Sequence, residues 1–266
     1  MIGHENLEKI FKKLADSQKL SQNYLFYGDR MIGKKSFALS LANYLENKNF
    51  KEPTKNLNDT LLIDAENSSL GIDIVTNIKE FLYQKPIFSP YRVLIINNAE
   101  NFTSEAQNAM LKITEDSPDS ALIIAITADL ESLISTFSSR FIKIYFNRLT
   151  TKSIFEFLKS NQLASEKDAY LISKMSFGKI GLAINLALDK NYLNSANNLK
   201  SYKNNIKELI AKDNFNLNYF LEKLIIYLST DVKKNYSLLK KVLFLKKMSR
   251  FNLNPRLQLE NLLSNQ

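Results

Sequence analysis

Cysteine and tryptophan are absent from the 266 residues, and histidine occurs once, at His4. Without cysteine there is no disulfide and no thiolate zinc site, a composition that suits a reducing cytoplasm. Long apolar runs are missing too: Ala121–Thr127 falls far short of the roughly 20 residues a membrane-spanning helix needs. The opening Met1-Ile2-Gly3-His4-Glu5 has no basic stretch leading into an apolar one, so no signal peptide is expected. Arginine is scarce, six against 30 lysines, although the formal charge is +9. A basic surplus attracts phosphates, but lysines spread over solvated helix faces account for it somewhat better. Charge alone therefore assigns no nucleic-acid role. The expectation from these absences is a cytoplasmic chain without a membrane segment, long enough for two or three small domains.

The first half alternates two kinds of segment. Tyr24–Tyr27, Leu61–Asp64, Val93–Asn97, Leu122–Thr127 and Ile142–Phe146 are short, continuous apolar runs, the pattern of strands buried on both faces of a parallel sheet. Between them, Ser36–Leu45, Ile72–Tyr83 and Ser104–Glu115 carry apolar residues at helical spacing. Ser104-x-x-Gln107 reads as a capping box, and Pro118 follows that helix. Five strands alternating with helices predict an α/β doubly wound domain. After residue 147 the strand-like runs stop. Thr150–Asn161 and Glu166–Met175 predict helices, Asn194–Asn205 is a polar boundary, and apolar residues return at helical spacing from Ile206 to Leu245. The expected division is 1–147, 148–193 and 194–266, α/β first and all-α afterwards.

Strand Tyr24–Tyr27 runs into Gly28-Asp29-Arg30-Met31-Ile32-Gly33-Lys34-Lys35-Ser36. This matches the phosphate-loop motif G-x-x-x-x-G-K, between a strand and a helix as the motif requires. The glycines would let backbone N–H groups curl around phosphates, with Lys34 reaching the outer oxygens. The last position, which needs a hydroxyl to hold Mg²⁺, is Lys35, and a neighbouring Ser36 is turned away by about 100°. The third strand ends in Asn97 and Asn98 where hydrolytic relatives of the motif carry acids. An amide neither takes a proton from water nor binds a hard cation well. Glu100, two residues further on, falls outside the position of a base. Binding of ATP or ADP stays open at this point, while hydrolysis is not expected. Gly28, Gly33, Lys34, Ser36 and Thr127 are the candidate nucleotide residues, with no metal ligand among them.

Further along, Gln107-Asn108-Ala109-Met110-Leu111-Lys112-Ile113-Thr114-Glu115-Asp116-Ser117-Pro118 resembles the "NALLKxxEEPP" helix of clamp-loader AAA+ subunits. Thr127 fills the place of that family's polar sensor, and Ser138-Ser139-Arg140-Phe141 looks like its Ser-Arg-Cys signature. Asn254-Pro255-Arg256-Leu257-Gln258-Leu259-Glu260-Asn261-Leu262-Leu263 is similar to the close of its collar domain, and Ile2-Gly3-His4 to its N-terminal segment. The likeness runs from residue 2 to residue 263. It implies an AAA+ P-loop-type fold with a five-stranded parallel sheet, a helical lid and a helical collar. It also implies a complex that loads the sliding clamp of DNA polymerase III onto primer-template DNA, with gamma/tau-type motor subunits and a delta-type subunit as partners. In that family the arginine of the signature acts in trans on a neighbour's ATP, and Arg140 matches it.

The family's four-cysteine zinc module has no counterpart in the polar residues 46–60, so no zinc is expected. The lid pattern Gly178-Lys179-Ile180-Gly181-Leu182-Ala183 has Leu182 where the family has a second sensor arginine. The resemblance therefore implies a non-catalytic stator that needs no cofactor. Two rival readings stand beside it: an active motor ATPase, and a stand-alone nucleic-acid binder using Lys233-Lys234, Lys240-Lys241 and Lys246-Lys247.

Overall fold

The computed structural model describes residues 2–65, 70–188, 221, 224–225, 228–229 and 232–248. Two units are formed, one of residues 1–153 with 178–181 and the other of 154–177 with the described residues from 182 onward. In the first unit the order is α1 Glu5–Asp16, β1 Asn23–Tyr27, α2 Lys34–Asn47, β2 Thr60–Asp64, α3 Asp73–Leu82 and β3 Arg92–Asn97. A 3₁₀ turn at Ala99–Asn101, α4 Ser104–Asp116, β4 Ala121–Thr127, the single turn α5 Ser135–Ser138 and β5 Ile142–Tyr145 complete it. All pairings are parallel, and the strands lie in the order β2-β3-β4-β1-β5.

Strand periodicity divides the core into two layers. Tyr24, Phe26, Val93, Ile95, Leu122, Ile124 and Ile126 point to one face, where Phe11 of α1 and Phe37, Leu41 and Leu45 of α2 pack. Leu25, Leu94, Ile96, Ala121, Ile123 and Ala125 point to the other, against Val75, Ile78 and Leu82 of α3 and Met110 and Ile113 of α4. The three central strands are buried as expected of continuous apolar runs. β2 and β5 are not: they are the two sheet edges, and Leu62, Ile142 and Tyr145 are exposed. The last expected strand stops one residue early, at Tyr145, and Phe146 turns inward to meet Phe26 and Phe37.

The helix-capping expectation also shifts. Thr103, not Ser104, caps α4 by accepting from the Ala106 N–H. That moves Gln107 past the capping position, and its amide instead donates to the Phe102 carbonyl and accepts from the Ile134 N–H.

One buried acid organises the approach to β3. Asp59 is fully inaccessible and accepts hydrogen bonds from the N–H groups of Ile87, Phe88 and Ser89 while pairing with Arg92 at 3.1 Å. Arg92 itself reaches the carbonyls of Asn58 and Lys85. Burial pushes the Asp59 carboxyl up, but the three N–H donors and Arg92 outweigh it and hold the group below the ordinary carboxylate range. The loop fixed in this way carries Ile87 and Phe88 outward, 70% and 62% exposed.

The second unit is helical. α6 Thr151–Ser160, which starts in the first unit, is followed by α7 Glu166–Met175, α8 Ile180–Leu188 and α9 Val232–Met248. Ser165 caps α7 by accepting from the Asp168 N–H. Leu239 and Val242 of α9 are buried, and its paired lysines 233–234, 240–241 and 246–247 lie along the same helix. The polar stretch Asn194–Asn205 and the closing motif Asn254–Leu263 lie outside the described residues. No described helix is long and apolar enough to cross a membrane.

Candidate functional site

The loop between β1 and α2 takes its shape from two left-handed glycines. Gly28 has φ 134°, and a Cβ there would lie 2.5 Å from the Phe146 carbonyl oxygen, so any side chain at this position is strained. Gly33, at φ 99°, caps α2 and starts its run of N–H groups. Residues 178–181 lie against the loop, with the Gly181 N–H donating to the Met31 carbonyl at 2.9 Å. On the other flank, His4 is buried, with Nε2 3.0 Å from the Ile32 carbonyl and its ring edge-on to Phe146. Burial lowers the tendency of His4 to carry a proton.

Lys34 is only 6% exposed and donates to the carbonyls of Gly28 and Asp29, each at 2.6 Å. Burial pulls its pKa down to about 8, against the opposing pull of Glu100 and Asp29. Glu100 thus turns back toward the loop. Its side chain is 8% exposed and meets Arg30 at 3.3 Å. Asp29 pairs with Arg148, whose hydrogen bond holds the Asp29 carboxyl below its ordinary range, with Lys179 near enough to contribute. Ser36 is half-buried on the first turn of α2. Thr127 is buried at the end of β4, beside Tyr27, and its hydroxyl is used locally: it donates to the Asp129 carbonyl and accepts from the Asp129 N–H.

A residue absent from the sequence reading ties the site together. Asp64, at the tip of β2, accepts from Lys35 Nζ on Oδ2 at 2.6 Å. Its Oδ1 accepts from the side-chain amides of Asn97 at 2.9 Å and Asn98 at 3.2 Å. Burial would raise the Asp64 carboxyl, but the Lys35 and Asn97 hydrogen bonds bring it below the ordinary range. Positions 35, 97 and 98 thus present an ammonium and two amide NH₂ groups where a divalent cation needs oxygens. They do not fit a metal. Among the described residues, no group of three or more acids and histidines is gathered to hold one.

Arg140 lies apart from this loop, just after α5. Its guanidinium donates to Glu115 of α4 through Nε, at 2.9 Å, and through Nη2, and to the Thr136 carbonyl through Nη1. Behind it, Phe141 is buried and meets Phe137 at a tilt, with 4.8 Å between ring centres. The Arg140 side chain remains 30% exposed.

A family model described as "DNA polymerase III, delta subunit" matches residues 3–150, more than half of the chain. The chain belongs to this family. It is a bacterial clamp-loader AAA+ family member. Among curated relatives, DNA polymerase III subunit gamma/tau of Mycoplasma genitalium is 27% identical over 197 residues, 67% of this chain and 33% of that one. A replication factor C small subunit of Methanococcus vannielii is 28% identical over 182 residues, 68% of this chain and 54% of that one. This clamp-loader family member thus spans about a third to a half of the length of such relatives. Its fold is similar to a DNA polymerase III gamma subunit-related protein of Thermotoga maritima, with TM-score 0.63 and 21% identity over 96% of this chain and 97% of that one. It is also similar to the Holliday junction branch migration motor RuvB of Thermotoga maritima, with TM-score 0.55 and 18% identity over 84% and 76%.

Proposed function

We propose that the chain is the delta-prime-type subunit of a DNA polymerase III clamp loader. In this reading it is a stator that hydrolyses no ATP and lends Arg140 to a neighbouring motor. Its partners are gamma/tau-type motor subunits and a delta-type subunit, and through them the sliding clamp and primer-template DNA. It needs no nucleotide or metal of its own.

The observation that carries this reading is the donor set at the degenerate loop. Hydrolysis of a γ-phosphate needs Mg²⁺ on a loop hydroxyl and an acid, and a group that orients water. Positions 35, 97 and 98 supply a lysine and two asparagines tied to one another through Asp64. Arg140 supports the second half of the reading. Its pair with Glu115 lies at the surface, with the two side chains 30% and 50% exposed. Such a pair contributes at most about 1 kcal/mol. A guanidinium whose carboxylate partner is this exposed can exchange Glu115 for the oxygens of a phosphate at modest cost. An arginine that stabilises charge developing on a transferring phosphoryl group changes rates by about 10³–10⁵.

Likeness to gamma/tau subunits favours a second reading, in which the chain is itself a motor. One experiment separates the two: DNA- and clamp-stimulated ATPase of the complex reconstituted with its motor subunit, with wild type, with Arg140→Ala, and with the isolated chain as blank. A silent blank and a sharp fall on substitution, with assembly intact, are expected. ATP hydrolysis by the isolated chain would establish the motor reading, and an unchanged rate in Arg140→Ala would leave only a scaffold.

A further inference from the structure

We propose that Lys35 is a built-in cation standing where a phosphate loop ordinarily places its divalent metal, so that this loop keeps its shape without metal and does not take Mg²⁺. The inference rests on the non-hydrolytic reading above and adds the device that enforces it. Loss of a hydroxyl at position 35 and of acids at 97 and 98 would by itself leave a weak site, open to a metal at high concentration. The arrangement goes further. Glu100 and Asp29 lie beside Lys34, but the carboxylate in contact with positions 35, 97 and 98 is Asp64, and both its oxygens are engaged: Oδ2 by the Lys35 ammonium at 2.6 Å, and Oδ1 by the NH₂ groups of Asn97 and Asn98 at 2.9 and 3.2 Å. An ionised carboxylate only accepts, so both amides must turn their donor ends toward it. A dication arriving here would have to displace an ammonium that already neutralises the acid, and would find N–H groups where it needs carbonyl oxygens.

The same four side chains come from three elements. Lys35 sits at the head of α2, Asp64 at the tip of β2, and Asn97 at the tip of β3 with Asn98 next to it. The Lys35–Asp64 pair therefore fastens the phosphate-loop helix to the edge of the sheet without a metal. With side chains 42% and 24% exposed, the pair is partly screened, so its mechanical contribution is modest.

The full-length chain is titrated with Mn²⁺ followed by electron paramagnetic resonance, and its melting temperature is measured in Mg²⁺ and in EDTA, for wild type and Lys35→Met. Wild type is expected to take up no Mn²⁺ up to the millimolar range and to melt alike in both media. Lys35→Met should melt about 2–4 °C lower, and its freed Asp64 should take up Mn²⁺ weakly. Mn²⁺ uptake by wild type, a Mg²⁺-dependent rise in its melting temperature, or a Lys35→Met variant unchanged in both properties would overturn the inference. These outcomes are independent of ATP hydrolysis: a wild-type chain that binds Mn²⁺ yet hydrolyses nothing sinks the built-in cation and leaves the stator reading standing.

Discussion

Asp59→Asn removes a charge while changing almost no volume, and it acts on the most enclosed ion pair among the described residues of the α/β unit. The wild-type carboxylate is inaccessible to solvent, accepts from three consecutive backbone N–H groups and pairs with Arg92, itself 5% exposed. An asparagine retains one acceptor oxygen. Its NH₂ group faces donors, and Arg92 is left as a buried cation without a counter-charge. Removing one partner of a buried pair costs about 3–5 kcal/mol. With a urea m-value of about 2 kcal/mol/M, the midpoint of unfolding should fall by roughly 2 M, with m unchanged. Circular dichroism of the full chain at pH 7 reads this directly. The double variant Asp59→Asn/Arg92→Met removes the stranded charge and should recover at least about 1 kcal/mol of the loss. The acid limb carries a sign of its own. Because the folded Asp59 titrates below the value of an unfolded aspartate near 3.8, its contribution is complete above that pH. It is lost as pH falls through the folded value, so wild type and Asp59→Asn should converge only in strong acid. A midpoint shift under about 0.5 M, or a double variant as unstable as the sum of its parts, would refute the reasoning.

Two other perturbations bear on the loop itself. Lys34 titrates at about 8 when folded and near 10.5 when unfolded, so the cost of burying its charge is full below pH 8 and relieved between those values. Relative to Lys34→Met, wild type should gain about 3 kcal/mol of stability on going from pH 8 to pH 10.5, measured as the difference between their urea midpoints. Gly28→Ala sets a Cβ 2.5 Å from the Phe146 carbonyl oxygen at φ 134°. The strain should cost on the order of 1–3 kcal/mol or more and lower the melting temperature by several degrees; an unchanged melt would show that the β1–α2 turn relaxes freely.

The sheet was legible because its strands are continuous apolar runs flanked by turn residues, and each expected strand lies within one residue of the observed one at either end. Exposure of β2 was not legible, since Leu61–Ile63 is as apolar as the central runs, whereas Lys143 inside Ile142–Phe146 is a charge that suits an edge strand and marks β5. Which strands are edges follows from the β2-β3-β4-β1-β5 order, a property of long-range pairing. Helix α1 shows Leu7, Ile10, Phe11 and Leu14 at helical spacing, a signal that was present in the sequence and not used. At the site, local motif positions could be read: the glycines, Lys34, the misplaced Lys35 and the two asparagines. Asp64 could not, because it carries no motif and meets Lys35 across 29 residues of chain. An acid at the carboxyl end of the strand beside β3 is the one hint of it. Counting residues from Asn98 places Glu100 outside the site, but the left-handed Asn98 at φ 56° and the 3₁₀ turn after it redirect the chain, and the carboxylate comes back toward Arg30 and Lys34.

The sharing of Asp64 among three donors constrains the routes by which such a chain can change. Asn97→Asp alone would replace a donor to Asp64 by a second carboxylate about 3 Å away, a like-charge contact that Lys35 offsets only in part. Lys35→Thr alone would strand an oxygen of Asp64 without its cation. Each single step back toward a metal-binding loop therefore gives up part of this network, and a complete metal site needs position 35 and the asparagines to change together. A lineage that acquires this arrangement meets a barrier against regaining a hydrolytic site, and drift at positions 35, 64, 97 and 98 should be correlated among its descendants.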